Sequence, residues 1–151
     1  MIPKPYIAKW QEQAPWKQFY QVEQDLVISR ALVEIFSDDF LRENLAFRGG
    51  TALHKLYLNP APRYSEDIDL VQIKPGPIKP IMERIKEVVT FFEEPRRTQV
   101  KGHGAKATYR FTSEYENIRL RLKLEINCKE HFNVLDWVDF PFEVESEWFS
   151  G

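Results

Sequence analysis

Apolar positions along the chain follow two periods, one helical and one typical of strands. From Trp16 to Phe36 they recur at three-, four- and seven-residue spacing, in a stripe wide enough to predict a helix buried on most sides. Residues 78–92 carry a narrower stripe, which predicts an amphipathic helix packed on the apolar side of a sheet. A short helix is also predicted from Ala52 to Leu58, where Pro60 and Pro62 end it.

Six further stretches have strand character. The clearest is Ile118 to Asn127, where apolar and polar residues alternate, so one face should be buried and the other polar. Gly102 and Gly104 predict a hairpin turn before it, and Pro141 places a last strand, Val138 to Val144, at an edge. The other predicted strands are Leu45–Phe47, Asp67–Ile73, Arg96–Lys101 and Ala105–Thr112.

The N-terminal residues differ from the rest of the chain. Residues 1–15 hold three prolines and little periodicity, which predicts an irregular arm. The remaining residues, 16–151, are enough for one domain with a real core.

Two aspartates lie in one of the predicted strands. Asp is depleted in strands, yet Asp67 and Asp69 flank Ile68 and lead into an apolar run. Residues two apart in a strand share a face, so the two carboxylates would lie side by side and repel each other. A divalent cation is the simplest relief, and Mg²⁺ commonly takes one or two carboxylates together with substrate phosphates. The alternative is that Asp67 caps a turn and Asp69 is a solvated edge residue.

A glycine turn precedes these aspartates. Gly49 and Gly50 let the backbone approach a ligand closely, and Thr51 is a good N-cap for a helix whose N-terminus would favour a phosphate. With the aspartates, the turn predicts a site for a metal-bound nucleoside triphosphate. The alternative is that the glycines only close a helix–strand corner. Other residues here that could contact phosphate oxygens are Lys55, Arg63 and Ser65.

The formal net charge of −2 hides an uneven distribution. Eight Lys and Arg residues lie between Arg96 and Lys123, against two acids. This segment could meet a polynucleotide or a triphosphate, or form a solvated strand face. Glu125 is the only acid among basic neighbours on the polar face of its strand. The single cysteine, Cys128, fits a reducing cytosol, and no apolar run approaches the length of a membrane span.

These motifs together resemble the nucleotidyltransferase AbiEii/AbiGii toxin family, a branch of the polymerase-β-like nucleotidyltransferases. That superfamily carries a Gly-Gly or Gly-Ser turn, a short helix, and a strand with two acids in Asp-x-Asp spacing. The similar stretches here are GGTALHK at Gly49–Lys55, RYSEDIDL at Arg63–Leu70 and LKLEIN at Leu122–Asn127.

The resemblance implies an α/β (α+β) fold of the polymerase-β-like nucleotidyltransferase kind, a mixed twisted sheet with helices mainly on one face. It also implies that Asp67 and Asp69 hold two Mg²⁺ ions, with Glu125 as a third carboxylate that could accept a proton. The alternative for Glu125 is a simple salt bridge to Arg121 or Lys123.

The activity that the resemblance implies is transfer of a nucleoside monophosphate from a triphosphate to an acceptor hydroxyl, which could belong to RNA such as a tRNA end. A cytoplasmic toxin with a cognate antitoxin is implied as well. Proteins of this family usually continue into a helical part with a Lys and an Arg-Asp run, which this sequence lacks, so we expect a fragment or a shortened member. The alternative is a non-catalytic nucleotide-, RNA- or protein-binding module, which Trp148 and Phe149 at a free terminus would favour.

Overall fold

The structure, a computed structural model, describes residues 1–12, 18–48, 67–128, 144, 146 and 148–151. Within these ranges, five strands form one sheet in the order β1-β2-β5-β4-β3. Strands β2 and β5 are parallel, and the other neighbouring pairs are antiparallel. The predicted mixed sheet is therefore confirmed. The elements in chain order are α1 Lys4–Trp10, α2 Phe19–Phe36, α3 Asp39–Asn44, β1 Leu45–Arg48, β2 Asp67–Gln72, α4 Lys79–Val88, β3 Arg97–Lys101, β4 Gly104–Thr112 and β5 Arg119–Asn127.

The two faces of the sheet differ because the residues of β4 and β5 alternate. Every second residue of β5, from Leu120 to Ile126, is buried, and β4 shows the same alternation. These apolar side chains share one core with buried residues of α1, α2, α3 and α4. The helices therefore cover the apolar face, as predicted, and the polar residues of β4 and β5 lie on the other face.

Helix α2 is the scaffold that the sequence predicts. A capping box between Gln18 and Gln21 starts it, and it ends at Phe36. Asp38 then accepts a hydrogen bond from the Leu41 backbone N–H at 3.0 Å and caps α3. The two helices are thus separated by a short break at Ser37 and Asp38.

The prediction of an irregular arm over residues 1–15 was wrong for Lys4 to Trp10, which form α1. Pro5 lies in the first turn, where a proline lacks an N–H that would have had no helical partner anyway. Ile7 and Trp10 lie three residues apart and are both buried, and Trp10 Nε1 donates to Asp25 Oδ2 at 2.8 Å. Tertiary packing against α2 therefore stabilises a helix that prolines alone would argue against.

The predicted helix over residues 78–92 ends earlier, at Val88. Val88, Val89 and Thr90 are β-branched and disfavour continued helix. The chain beyond them brings the Phe92 ring against the Tyr109 ring of β4. The two rings stack with their centroids 4.6 Å apart. Burial of the aromatic ring against the sheet therefore replaces the last helical turn.

The aromatic residues near the end of the sequence are not free, contrary to the expectation that supported a binding module. Trp148 packs edge-on against Phe91 with centroids 5.3 Å apart. The Arg30 guanidinium of α2 lies 4.4 Å from the Trp148 ring centroid, a cation–π contact. Trp148 and Phe149 therefore contribute to packing against the core.

Several predicted elements lie outside the described residues. These are the glycine turn, the helix at Ala52–Leu58 and most of the strand at Val138–Val144. Among the residues that the structure does describe, no helix is long and apolar enough to cross a bilayer.

We expect stability to depend on the ionisation of Glu23, a fully buried residue of α2. Its Oε1 accepts a hydrogen bond from the Glu114 backbone N–H at 2.9 Å, but burial dominates and raises its pKa to about 7. The folded state therefore binds a proton that the unfolded state, with a pKa near 4.5, has already lost. This contribution to stability is full below pH 4.5 and is lost as the pH rises through about 7.

The test is urea unfolding of wild type and Glu23→Gln across this pH range, because the amide keeps the acceptor oxygen and removes the charge. The variant should be the more stable protein above pH 7, by up to about 3 kcal/mol, and the difference should shrink towards pH 4.5. A difference that stays constant with pH would contradict the prediction.

Candidate active site

The acidic residues come together because β2 and β5 pair in parallel. In that register Asp69 lies directly opposite Glu125, and Asp67 lies opposite Lys123. Cross-strand partners share a face of the sheet, and Asp67 and Asp69 share theirs because they are two residues apart. All three carboxylates therefore lie on the polar face. The register thus places Asp67, Asp69 and Glu125 on one face, while their roles as metal ligands remain predictions.

Lys123 lies between two of these carboxylates. Its Nζ is 3.9 Å from Asp67 Oδ1 and 3.6 Å from Glu125 Oε1. The alternative of a salt bridge to Glu125 is therefore also realised, through Lys123. The lysine side chain is 23% exposed, and the two acids are 41% and 45% exposed, so water still reaches the group. The positive charge of the Lys123 side chain offsets part of the repulsion between the carboxylates on this face.

The donor set fits a hard divalent cation in chemistry, although the side chains are not arranged around one. Carboxylate oxygens are the ligands that Mg²⁺ prefers, and Asp69 and Glu125 present them from adjacent strands. Within the described ranges, no three His, Cys, Asp or Glu side chains are clustered closely enough to hold a metal. Binding through all three acids would thus require Lys123 to move away.

The rest of the polar face is basic. Counting along the ladders, seven of the eight cations in the basic segment point to this face. Arg119 is bound by Glu94, whose pKa is held below its usual range by hydrogen bonds from that guanidinium. Arg96 instead donates to the Met82 carbonyl at 2.8 Å. The cations of this face that form no ion pair with any described residue are Arg97, Lys101, Lys106, Arg110 and Arg121.

The predicted phosphate-binding residues cannot be placed relative to this face. Gly49, Gly50, Thr51, Lys55, Arg63 and Ser65 all lie outside the described residues. What the structure does fix is where the chain leads into them. Strand β1 pairs with the outer edge of β2, with Arg48 opposite Asp69, and the glycine turn follows directly in sequence.

Sequence reasoning missed one group of residues beside the carboxylates. A pocket of about 420 Å³ lies on the polar face where β3 and β4 meet, and Asp69 and Glu125 form part of its wall. The sequence predicts a hairpin turn here, and it leaves open whether the basic segment meets a polynucleotide or a triphosphate or forms a solvated strand face. The alternation of β4 and β5 was the available signal, because it puts Lys106 on the same face as Glu125. The other polar residues around this pocket are Gln99, Lys101, His103 and Asn127.

Cys128 is unlike a nucleophile. It is half-buried just beyond β5, and burial raises the pKa of its thiol. A thiol with a raised pKa carries less of the reactive thiolate at neutral pH.

Solved structures with a similar fold define the class of protein. The chain superposes on JHP933 from Helicobacter pylori with a TM-score of 0.55 and 18% identity, covering 87% of this chain and 51% of that one. The nucleotidyltransferase toxin MenT4 from Mycobacterium tuberculosis gives a TM-score of 0.50 and 14% identity, covering 85% and 44%. Another structure from H. pylori, described as a provisionally assigned nucleotidyltransferase, gives a TM-score of 0.55 and 20% identity, covering 74% of this chain and 47% of that one. The fold is therefore that of nucleotidyltransferases.

The family is defined by sequence. Residues 30–150 match the family described as nucleotidyl transferase AbiEii toxin of type IV toxin–antitoxin systems, and the chain belongs to that family. A comparison with curated proteins gives no significant match. The chain spans about half the length of the similar solved structures.

Replacing Asp69 by Asn should leave the metal-free fold intact and slightly stabilise it. Like charges directly opposite on neighbouring strands cost roughly 0.2–1 kcal/mol, and Asp69→Asn removes one of the pair. Thermal unfolding in EDTA measures this, with Glu83→Asn on the exposed face of α4 as the control. A large loss of stability in Asp69→Asn would mean that the aspartate is structural.

Replacing Lys123 by Gln should increase the response to magnesium. The variant loses the ammonium between Asp67 and Glu125, so it should be less stable in EDTA by up to about 1 kcal/mol. Mg²⁺ should then raise its Tm by more than it raises that of wild type, because no ammonium has to be displaced. Lys86→Gln, at an exposed position of α4, is the matched control. Equal magnesium responses in all three proteins would contradict a cation site here.

Proposed function

We propose that this protein is a magnesium-dependent nucleotidyltransferase toxin, which transfers a nucleoside monophosphate from a triphosphate to an acceptor hydroxyl. The observation that carries the proposal is the in-register pairing of Asp69 and Glu125 on an open polar face, with Asp67 beside them, in a member of the AbiEii family. Carboxylates two residues apart on one strand and opposite on the next are suited to metal-bound phosphates.

The proposed reaction exchanges one phosphoester bond for another. The acceptor oxygen attacks the α-phosphorus, the bond from that phosphorus to the α–β bridging oxygen breaks, and pyrophosphate leaves. Magnesium, when bound, supplies neutralisation of the phosphate charge and activation of the attacking oxygen. Asp67 and Asp69 hold the metal ions in this proposal. Glu125 helps to hold them on the acceptor side and accepts the hydroxyl proton.

The triphosphate would lie towards the β1 edge of the sheet. In sequence, β1 runs directly into Gly49, Gly50 and Thr51, whose backbone N–H groups are the proposed phosphate cradle. Lys55, Arg63 and Ser65 are proposed to assist. An RNA acceptor, such as a tRNA end, is supported by the cations of β3, β4 and β5 that form no ion pair among the described residues. A cytosolic location and a cognate antitoxin complete the proposal, because the family is one of toxin–antitoxin systems.

Calorimetric titration tests the nucleotide site. Wild type should bind a nucleoside triphosphate in Mg²⁺ and much more weakly in EDTA, because the metal bridges carboxylates and phosphates. Asp69→Ala should weaken binding only in Mg²⁺, Gly50→Val should weaken it because a branched Cβ crowds the phosphate, and Glu83→Gln on α4 should match wild type. Equal binding in EDTA would exclude a metal-bridged site.

Transfer itself needs a second assay. Incubation of wild type with total RNA and an α-labelled triphosphate should label RNA, and Glu125→Gln should lose most of that label while still binding RNA. Triphosphate binding without any transfer would support the alternative of a non-catalytic module. Absence of both binding and transfer would mean that this chain alone is not a competent nucleotide site.

A further inference from the structure

The pocket beside the carboxylates is formed by the pattern of large and small residues across the sheet. In the row that crosses β3, β4 and β5, Gly104 lies between Lys101 and Asn127. Gly104 has no side chain to fill the pocket of about 420 Å³ that it lines together with its neighbours. A Cβ at this position would lie 3.3 Å from the Ile126 carbonyl oxygen, a tight contact that disfavours a side chain here.

Each wall of this pocket has a different charge. On one side Glu125 and Asp69 lie next to each other across β5 and β2. Opposite Glu125 on β4 is Lys106, and the hairpin from β3 adds Lys101 and His103. Neither lysine forms an ion pair with any residue in the described part of the chain. A lysine whose only role was to balance the charge of Glu125 would form an ion pair with it. Lys123 forms that ion pair, whereas Lys101 and Lys106 do not.

Strand order places the pocket and β1, the strand that precedes the glycine turn in sequence, on opposite sides of the Asp69–Glu125 pair. Strands β1 and β3 are the two ends of the five-strand order, and the acids lie on β2 and β5 between them. In sequence the proposed phosphate cradle follows β1, whereas the pocket extends from Asp69 of β2 across β5 to β4 and β3. A group in the pocket would therefore approach the carboxylates from the side opposite to the triphosphate. In-line displacement requires this arrangement, because the attacking and leaving oxygens lie on opposite sides of the phosphorus.

From this geometry we propose that the pocket is the acceptor subsite, and that it holds the terminal nucleotide of an RNA. The proposal rests on the proposed function. Lys101 and Lys106 bind the phosphate of that nucleotide, and its ribose hydroxyl lies against Glu125. The hydroxyl oxygen forms the new bond to the α-phosphorus and its proton passes to Glu125, while pyrophosphate leaves on the β1 side. A volume of about 420 Å³ is in the range of small-ligand pockets.

The test is the binding of a fluorescein-labelled RNA hexanucleotide with a free 3′ hydroxyl, measured by anisotropy without triphosphate. Lys101→Gln/Lys106→Gln should weaken binding, and the slope of log K against log salt should fall by about 0.7 for each lysine that is lost. Lys79→Gln/Lys86→Gln on α4 is the control, because it removes the same charge from exposed positions on another element. Binding of the magnesium triphosphate should be unchanged in both variants.

A second variant separates the pocket from the general charge of the face. Arg110→Gln/Arg121→Gln removes two cations that pair across β4 and β5, two rows away from Glu125. It should have a smaller effect on the hexanucleotide than the lysine variant. In transfer assays the lysine variant should raise the KM for RNA without changing the KM for triphosphate.

Three results would overturn the assignment. Loss of triphosphate affinity with unchanged RNA affinity would give the pocket to the triphosphate. Equal losses in the lysine and arginine variants would indicate a general polyanion surface, and no loss in either would leave the pocket without this role. Failure of the proposed function is distinct from all three, since it would be seen as wild type that binds no magnesium triphosphate.

Discussion

The arrangement of the polar face depends on the parallel pairing of β2 with β5. This pairing puts Asp69 opposite Glu125 and Asp67 opposite Lys123. The repulsion between the first pair and the attraction between the second therefore follow from one register. A slip by one residue would turn the acids of β2 towards the core, where unpaired carboxylates are costly. The apolar residues Ile68 and Leu70 are almost completely buried and prevent this slip. Packing of the apolar face thus determines which side chains lie on the polar face.

The same separation between faces explains what the sequence could predict. Apolar and polar residues alternate strictly from Arg119 to Asn127, and successive side chains of a strand point to opposite faces of the sheet. The sequence therefore revealed both the buried face and the isolated acid, Glu125, on the polar face. The Asp-x-Asp spacing likewise put two carboxylates on one face. Neither pattern contains the register between strands, which is set by tertiary packing. The opposition of Asp69 and Glu125 therefore required the structure, although the resemblance anticipated it.

Other features depended on distant contacts that no local pattern contains. Prolines argued against α1, but Ile7 and Trp10 gain burial against α2 and the helix forms. Phe92 continued a helical stripe, yet it lies beyond the end of α4 and stacks on Tyr109. The pocket was missed for a similar reason, since Lys101, Lys106 and Asn127 lie on three strands and Gly104 was read only as a turn residue. Each case is one in which a tertiary contact overrides local propensity.

The β2–β5 pairing also has a consequence for how the protein folds. Asp69 and Glu125 lie far apart in sequence, and everything from α4 to β4 is threaded between them. Strands β3, β4 and β5 are antiparallel neighbours that can assemble locally, whereas β5 can join β2 only by closing that long loop, at an entropic cost. A ribosome must release β5 before the acids can meet. A partly synthesised chain thus carries Asp67 and Asp69 without Glu125, and the face that joins all three acids is complete only once synthesis has passed Asn127.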